Sequence, residues 1–141
     1  MTTTINADSV TGGAVVTGDA SGALGLQAAG TTLMTLAGDI VAFNKGYSET
    51  VYTLSGTALD PANGTIQVKT LGGATTLTDS LSAGESLVLM INGGATYTVT
   101  WPTMTWAGSG GNVAPTLTAN DVVIFWKVST TLYGAYAGSY A

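Results

Sequence analysis

Two stretches decide the fold: Ser86-Leu87-Val88-Leu89-Met90-Ile91 and Val122-Val123-Ile124-Phe125-Trp126. Both are short, both are apolar at successive positions, and both are bounded by turn-forming residues. A run of five or six apolar residues is too short for a buried helix. It suits a strand covered on both faces, so these two segments are expected at the centre of a sheet. Their neighbours alternate instead. In Thr96-Tyr97-Thr98-Val99-Thr100-Trp101 the period of two places Tyr97, Val99 and Trp101 on one face and three threonines on the other. Thr65-Ile66-Gln67-Val68-Lys69 has the same pattern. Thr, Val and Tyr favour strands.

Turn residues punctuate these segments. Asp60-Pro61-Ala62-Asn63-Gly64 precedes one strand, Pro102 ends another, and Gly108-Ser109-Gly110-Gly111-Asn112 is a loop. Asn92-Gly93-Gly94 reads as a hairpin turn joining the Ser86 strand to the Thr96 strand. No segment has a capped, helix-period pattern of useful length. Strands spaced about ten residues apart predict an all-β fold, an antiparallel β-sandwich or jelly-roll-like domain, over residues 37–141.

Residues 1–36 have a different composition. Ala, Gly, Thr and Ser dominate and aromatic residues are absent. Short apolar pieces, among them Val15, Val16, Leu24, Leu26 and Leu33, alternate with glycine turns. A segment so poor in large side chains cannot build a core of its own. It is expected to be an extended assembly arm that lies on its own domain, a sister chain or a host assembly.

Composition excludes much chemistry. The 141 residues include no Cys, no His and three lysines as the only basic side chains, against eight Asp and Glu, for a net charge of −5. Disulfides, thiolate nucleophiles, histidine triads and ordinary zinc sites are therefore impossible. Three lysines neutralise too few phosphates for nucleic-acid binding. At 45% apolar and 8% charged, the chain does not have the composition of a disordered protein. The longest bulky apolar run is too short to span a membrane. Met1 to Asp8 lacks both a basic start and an apolar stretch, so no secretory signal is expected. No cofactor and no metal are expected.

The remaining candidate groups are carboxylates and aromatics. Asp79 with Glu85, or Asp39 with Glu49, would supply the acid pair of a glycosidase. The same residues also read as turn residues, with no Arg or His to support catalysis. Asn63-Gly64-Thr65 matches a glycosylation sequon and equally a plain turn. Trp101 and Trp126 lie on strand patterns and are expected in the core. Tyr133, Tyr136 and Tyr140, close to Gly134-Ala135, are candidate contacts to a partner or a glycan.

Several pieces occur in an order that resembles a β-module of tail-fibre and other virion structural proteins of tailed bacteriophages. They are Thr57-Ala58-Leu59-Asp60-Pro61-Ala62-Asn63-Gly64-Thr65-Ile66-Gln67, Asp79 to Ile91, Thr98-Val99-Thr100-Trp101-Pro102 and Trp106-Ala107-Gly108. Ala114-Pro115-Thr116-Leu117-Thr118, Val123-Ile124-Phe125-Trp126-Lys127 and Leu132-Tyr133-Gly134-Ala135 complete them. Asp19 to Thr32 is similar to the connecting segments of such fibres. The resemblance implies a non-enzymatic virion structural protein made in the host cytoplasm and carried on the particle surface. It also implies a homotrimer that contacts capsid or tail proteins. The role is then a tail-fibre-like adhesin holding a host surface glycan, or a capsid decoration or head-fibre protein. The alternatives are a carbohydrate-binding module and a polysaccharide-degrading tail protein.

Overall fold

The computed structural model describes residues 23–37, 39–108 and 110–141. The chain is all-β. It divides into two compact units, Met1–Ser48 and Glu49–Ala141. The division falls twelve residues later than the composition change at residue 36 suggests, because the strand that follows the change pairs backwards. Val15 and Val16 lie outside the described residues.

The described part of the first unit is a three-stranded antiparallel sheet, not an extended arm. Its strands are β1 (Ala23–Ala28), β2 (Thr31–Ala37) and β3 (Ile40–Phe43), in the order β1-β2-β3. Ala29 and Gly30, both at positive φ (48° and 73°), form the two-residue turn between β1 and β2. Turns of that hand match the twist of the strands they join. The register brings Leu24, Leu36 and Val41 into one row and Leu26, Met34 and Phe43 into the next. A bulge after Leu26 leaves Leu33 as the extra residue of β2.

The second unit contains β4 (Val51–Thr53), β5 (Ala58–Leu59), a 3-10 turn at Pro61–Asn63, β6 (Ile66–Thr70), β7 (Thr75–Thr76) and β8 (Thr78–Asp79). They are followed by β9 (Ser86–Asn92), β10 (Val99–Thr100), β11 (Thr105–Trp106), β12 (Asn120–Val128) and β13 (Thr131–Ser139). Six of these form one sheet in the order β11-β13-β12-β9-β6-β4. The two doubly apolar segments, β9 and β12, are its central strands. The sheet is mixed: β12 runs antiparallel to both β9 and β13, while β6 is parallel to β9 and β4 to β6. Two further parallel pairs, β5 with β8 and β7 with β10, hold the crossover segments.

One face of this sheet carries the core. Leu87, Leu89, Ile91, Trp106, Val123, Phe125 and Leu132 point into it from the sheet, and Leu54, Leu59, Leu71, Leu77 and Leu81 close it from the connecting segments. Burial of each such side chain contributes about 1.5–3 kcal/mol. Trp101 packs on this cluster, edge-on to Trp106 at 5.1 Å and 83°. Trp126 does not. It lies on the opposite face, half-buried, stacked on Tyr133 at 5.8 Å and 11°. Neighbouring residues of a strand point to opposite faces, and Phe125 takes the core side.

Two other expectations are corrected. Asn92-Gly93-Gly94 is not a hairpin. Gly93, at φ +90°, donates to the Ala119 carbonyl at 2.6 Å and starts a tight turn whose Thr96 and Tyr97 N–H groups bond back to it. The Thr96 strand shrinks to Val99–Thr100, paired with Thr75–Thr76. The sheet's real hairpin is β12 to β13, through Ser129 and Thr130. In β6 the alternation is present but the polar residues face inward. Gln67 is fully buried and Lys69 nearly so, while Ile66 and Val68 point to the other face.

Candidate functional site

The inward polar residues of β6 have structural work. Gln67 donates through Nε2 to the carbonyls of Asp60 (2.8 Å) and Gly64 (3.0 Å). Lys69 Nζ donates to the carbonyls of Ser55 (3.2 Å) and Gly56 (2.7 Å). Loop carbonyls buried beside the core need donors, and these two side chains supply them.

The outward face of the same sheet carries apolar residues across five of its six strands. The register aligns Val51, Ile66, Val88, Ile124 and Ala135 in a row that crosses five strands. Val68, Met90 and Val122 form a second row, and Trp126 with Tyr133 a third. Most are half-buried; Val51 is 62% exposed and Ile124 38%. No charged side chain belongs to these rows. A shallow depression of about 150 Å³ lies over Val88 and Ile124, with Glu49, Thr65 and Ser86 at its rim.

The first unit repeats the feature on a smaller scale. Leu24, Leu26, Met34, Leu36, Val41 and Phe43 share one face of the three-stranded sheet. The other face carries Gly25, Thr35 and Ala42, with Asn44 donating to the Thr35 hydroxyl at 2.8 Å. None of the six apolar residues is buried, and Phe43 remains 59% exposed. Leu33, on the bulge, is exposed as well. A sheet with one apolar face must cover it with another layer.

The C-terminal tyrosines have three separate environments. Tyr133 belongs to the outward face, stacked with Trp126. Tyr136 is part-exposed and its hydroxyl donates to Asp121 Oδ1 at 2.7 Å. Tyr140 donates its hydroxyl to Asn92 Oδ1. Asp121 is wholly buried and also accepts from the Thr118 N–H (2.7 Å) and the Thr118 hydroxyl (2.8 Å). The hydrogen bond to this carboxylate, then burial, raises the Tyr136 phenol above its ordinary pKa. Asp121 was not distinguishable by sequence from the other scattered acids. Thr118, three residues before it, is the local signal of a side-chain-closed turn.

The other acids of the second unit are held in local structure. Asp79 pairs with Lys127 at 2.5 Å and accepts from the Leu81 N–H. Glu85 accepts from the Ser82 N–H at 2.6 Å, and Glu49 from the Thr65 hydroxyl. Asp60 caps the 3-10 turn through the Ala62 N–H, with Asn63 donating to its second oxygen. Asn63-Gly64 is thus a structured turn. Among the described residues no cluster of three or more potential metal ligands occurs, and no helix is long and apolar enough to cross a membrane.

A cleft of about 330 Å³ lies between the Gly94–Trp101 segment and Pro115–Leu117. No local sequence pattern marks it, because the alternation of Thr96 to Trp101 is that of a regular strand.

No family model, curated protein or solved structure matches the chain.

Proposed function

We propose that the chain is a non-enzymatic structural protein of a bacteriophage virion, displayed on the particle surface as a homotrimer and anchored through its N-terminal unit. The observation that carries the assembly reading is the apolar face of the three-stranded sheet, Leu24, Leu26, Met34, Leu36, Val41 and Phe43, none of which is buried. Covering these side chains is worth about 1.5–3 kcal/mol each, far more than such a small sheet can forgo. The outward face of the six-stranded sheet adds a second uncharged, apolar surface. β6 points its polar residues inward and its apolar ones outward, the pattern of a strand with protein on both sides. Self-association suits surfaces without charge, because like patches meet without repulsion, and cyclic symmetry closes the contact. The virion assignment is supported by the ordered pieces that resemble phage fibre modules.

Purified particles test this reading. Quantitative mass spectrometry should find the chain among the virion proteins, in hundreds of copies for a capsid decoration protein or tens for a tail fibre. Its absence from washed particles would overturn the virion assignment. Denaturant-free native mass spectrometry should give three times 14.1 kDa.

A further inference from the structure

We propose that the cleft between Gly94–Trp101 and Pro115–Leu117 is a binding site for a neutral saccharide. The cleft belongs to the second unit alone, and its volume of about 330 Å³ is within the range of small-ligand sites. Its chemistry is narrow. Tyr97 and Trp101, four residues apart on one wall, supply aromatic surface. Thr96, Thr98 and Thr116 supply hydroxyls that take no partner among the described residues. No charged residue lines it. Aromatic faces match the apolar C–H faces of pyranose rings, and hydroxyls match the sugar's own hydroxyls as both donors and acceptors. A phosphate, a carboxylate ligand or an acidic glycan would find no cation here and would be repelled by the net charge of −5. A purely apolar ligand would leave the three hydroxyls unmet.

The site is also preorganised. Trp101 is fixed edge-on to Trp106 and lies 6.0 Å from the Phe125 ring, so its position is set by the core. The two walls are joined at Gly94, where a Cβ would come within 2.6 Å of Leu117 Cβ and 2.9 Å of the Thr118 carbonyl oxygen. Only glycine permits that approach. A rigid aromatic floor loses little freedom on binding, which favours an uncharged, flexible ligand such as an oligosaccharide.

The test uses the intact chain and a panel of soluble hexasaccharides: malto-, cello-, manno-, galacto- and chito-oligomers, with oligogalacturonate as the acidic control. Saturation-transfer NMR and titration of tryptophan fluorescence read binding. At least one neutral hexamer should bind saturably with Kd below about 1 mM, and oligogalacturonate should not. Tyr97→Ala should weaken that binding by about tenfold or more, and Thr98→Val by a smaller factor. Tyr136→Phe, a change outside the cleft, should leave it within about twofold. Tyr97 is part-exposed, so circular dichroism and an unchanged oligomeric mass serve to show that its variant folds. Absence of saturable binding across the neutral panel at about 10 mM overturns the proposal, as does binding that survives Tyr97→Ala undiminished. Either outcome leaves the assembly reading standing, because no cleft residue belongs to the two apolar faces.

Discussion

Replacing Asp121 probes the most connected polar group of the second unit. Its carboxylate is fully buried and accepts three hydrogen bonds, from the Thr118 N–H, the Thr118 hydroxyl and the Tyr136 hydroxyl. Asp121→Asn keeps the shape but exchanges one acceptor oxygen for an NH₂ donor. The hydroxyls of Thr118 and Tyr136 can rotate to adapt; the Thr118 backbone N–H cannot. If the amide nitrogen faces it, a buried donor is left unmade, a cost of about 1–3 kcal/mol. If the amide oxygen faces it, that bond survives in weaker, uncharged form and the loss falls toward about 1 kcal/mol. Asp121→Ala removes all three acceptors and opens a void, so its cost should reach about 3–5 kcal/mol. Urea unfolding followed by tryptophan fluorescence measures both, since Trp101 and Trp106 sit in or on the core. The expected order is wild type, then Asn, then Ala, with unchanged m-values. An Asp121→Ala variant as stable as wild type would refute the structural role of this carboxylate.

Tyr136 gives a pH prediction. Its phenol is held protonated by the bond to Asp121, so its folded pKa lies above the unfolded value near 10. The contribution is complete below about pH 10 and is lost as pH rises through the folded pKa. Alkaline unfolding should therefore lose part of its pH dependence in Tyr136→Phe; identical alkaline limbs would contradict the hydrogen bond. Gly134 tests packing: a Cβ there would lie 2.1 Å from Met104 Cε, with Trp106 and Phe125 rings 3.4–3.5 Å away. Because the atom in the way is the mobile end of Met104, Gly134→Ala should cost only about 1 kcal/mol, and its loss should not add strictly to that of Met104→Ala in the same chain; strictly additive losses would show that the two sites do not touch. Val88→Lys with Ile124→Lys should shift sedimentation toward smaller species while far-ultraviolet circular dichroism stays β-type. An unchanged assembly would remove the six-stranded sheet's outer face from the interface.

What the sequence discloses follows from the range of each signal. β9 and β12 are legible because a strand in the middle of a sheet needs apolar residues on both faces, and Leu87-Val88-Leu89 and Val123-Ile124-Phe125 have them. β6 shows why alternation is insufficient. A period of two separates two faces without naming the inner one. Here the choice is made by carbonyls at Ser55, Gly56, Asp60 and Gly64, whose positions depend on the folded loops. Asn92-Gly93 has hairpin chemistry, yet β9 finds its antiparallel neighbour in distant β12, and Gly93 serves a turn into a loop. The true hairpin at Ser129-Thr130 lacks the usual glycine, with Ser129 itself at positive φ. The tyrosines were visible as a group, but their three environments depend on register: Tyr133 opposite Trp126, Tyr136 over Asp121 and Tyr140 beside Asn92. The cleft at Tyr97 forms between loops distant in sequence, so no local pattern announces it.

In the proposed assembly, other copies of the chain cover the apolar face of the N-terminal sheet. The mass of the purified protein, followed by native mass spectrometry or light scattering down to nanomolar dilution, measures this directly. A persistent trimer that dissociates when Leu26 and Phe43 are both changed to Lys is the predicted result. A monodisperse monomer, folded over residues 23–48 and indifferent to those two changes, would contradict it.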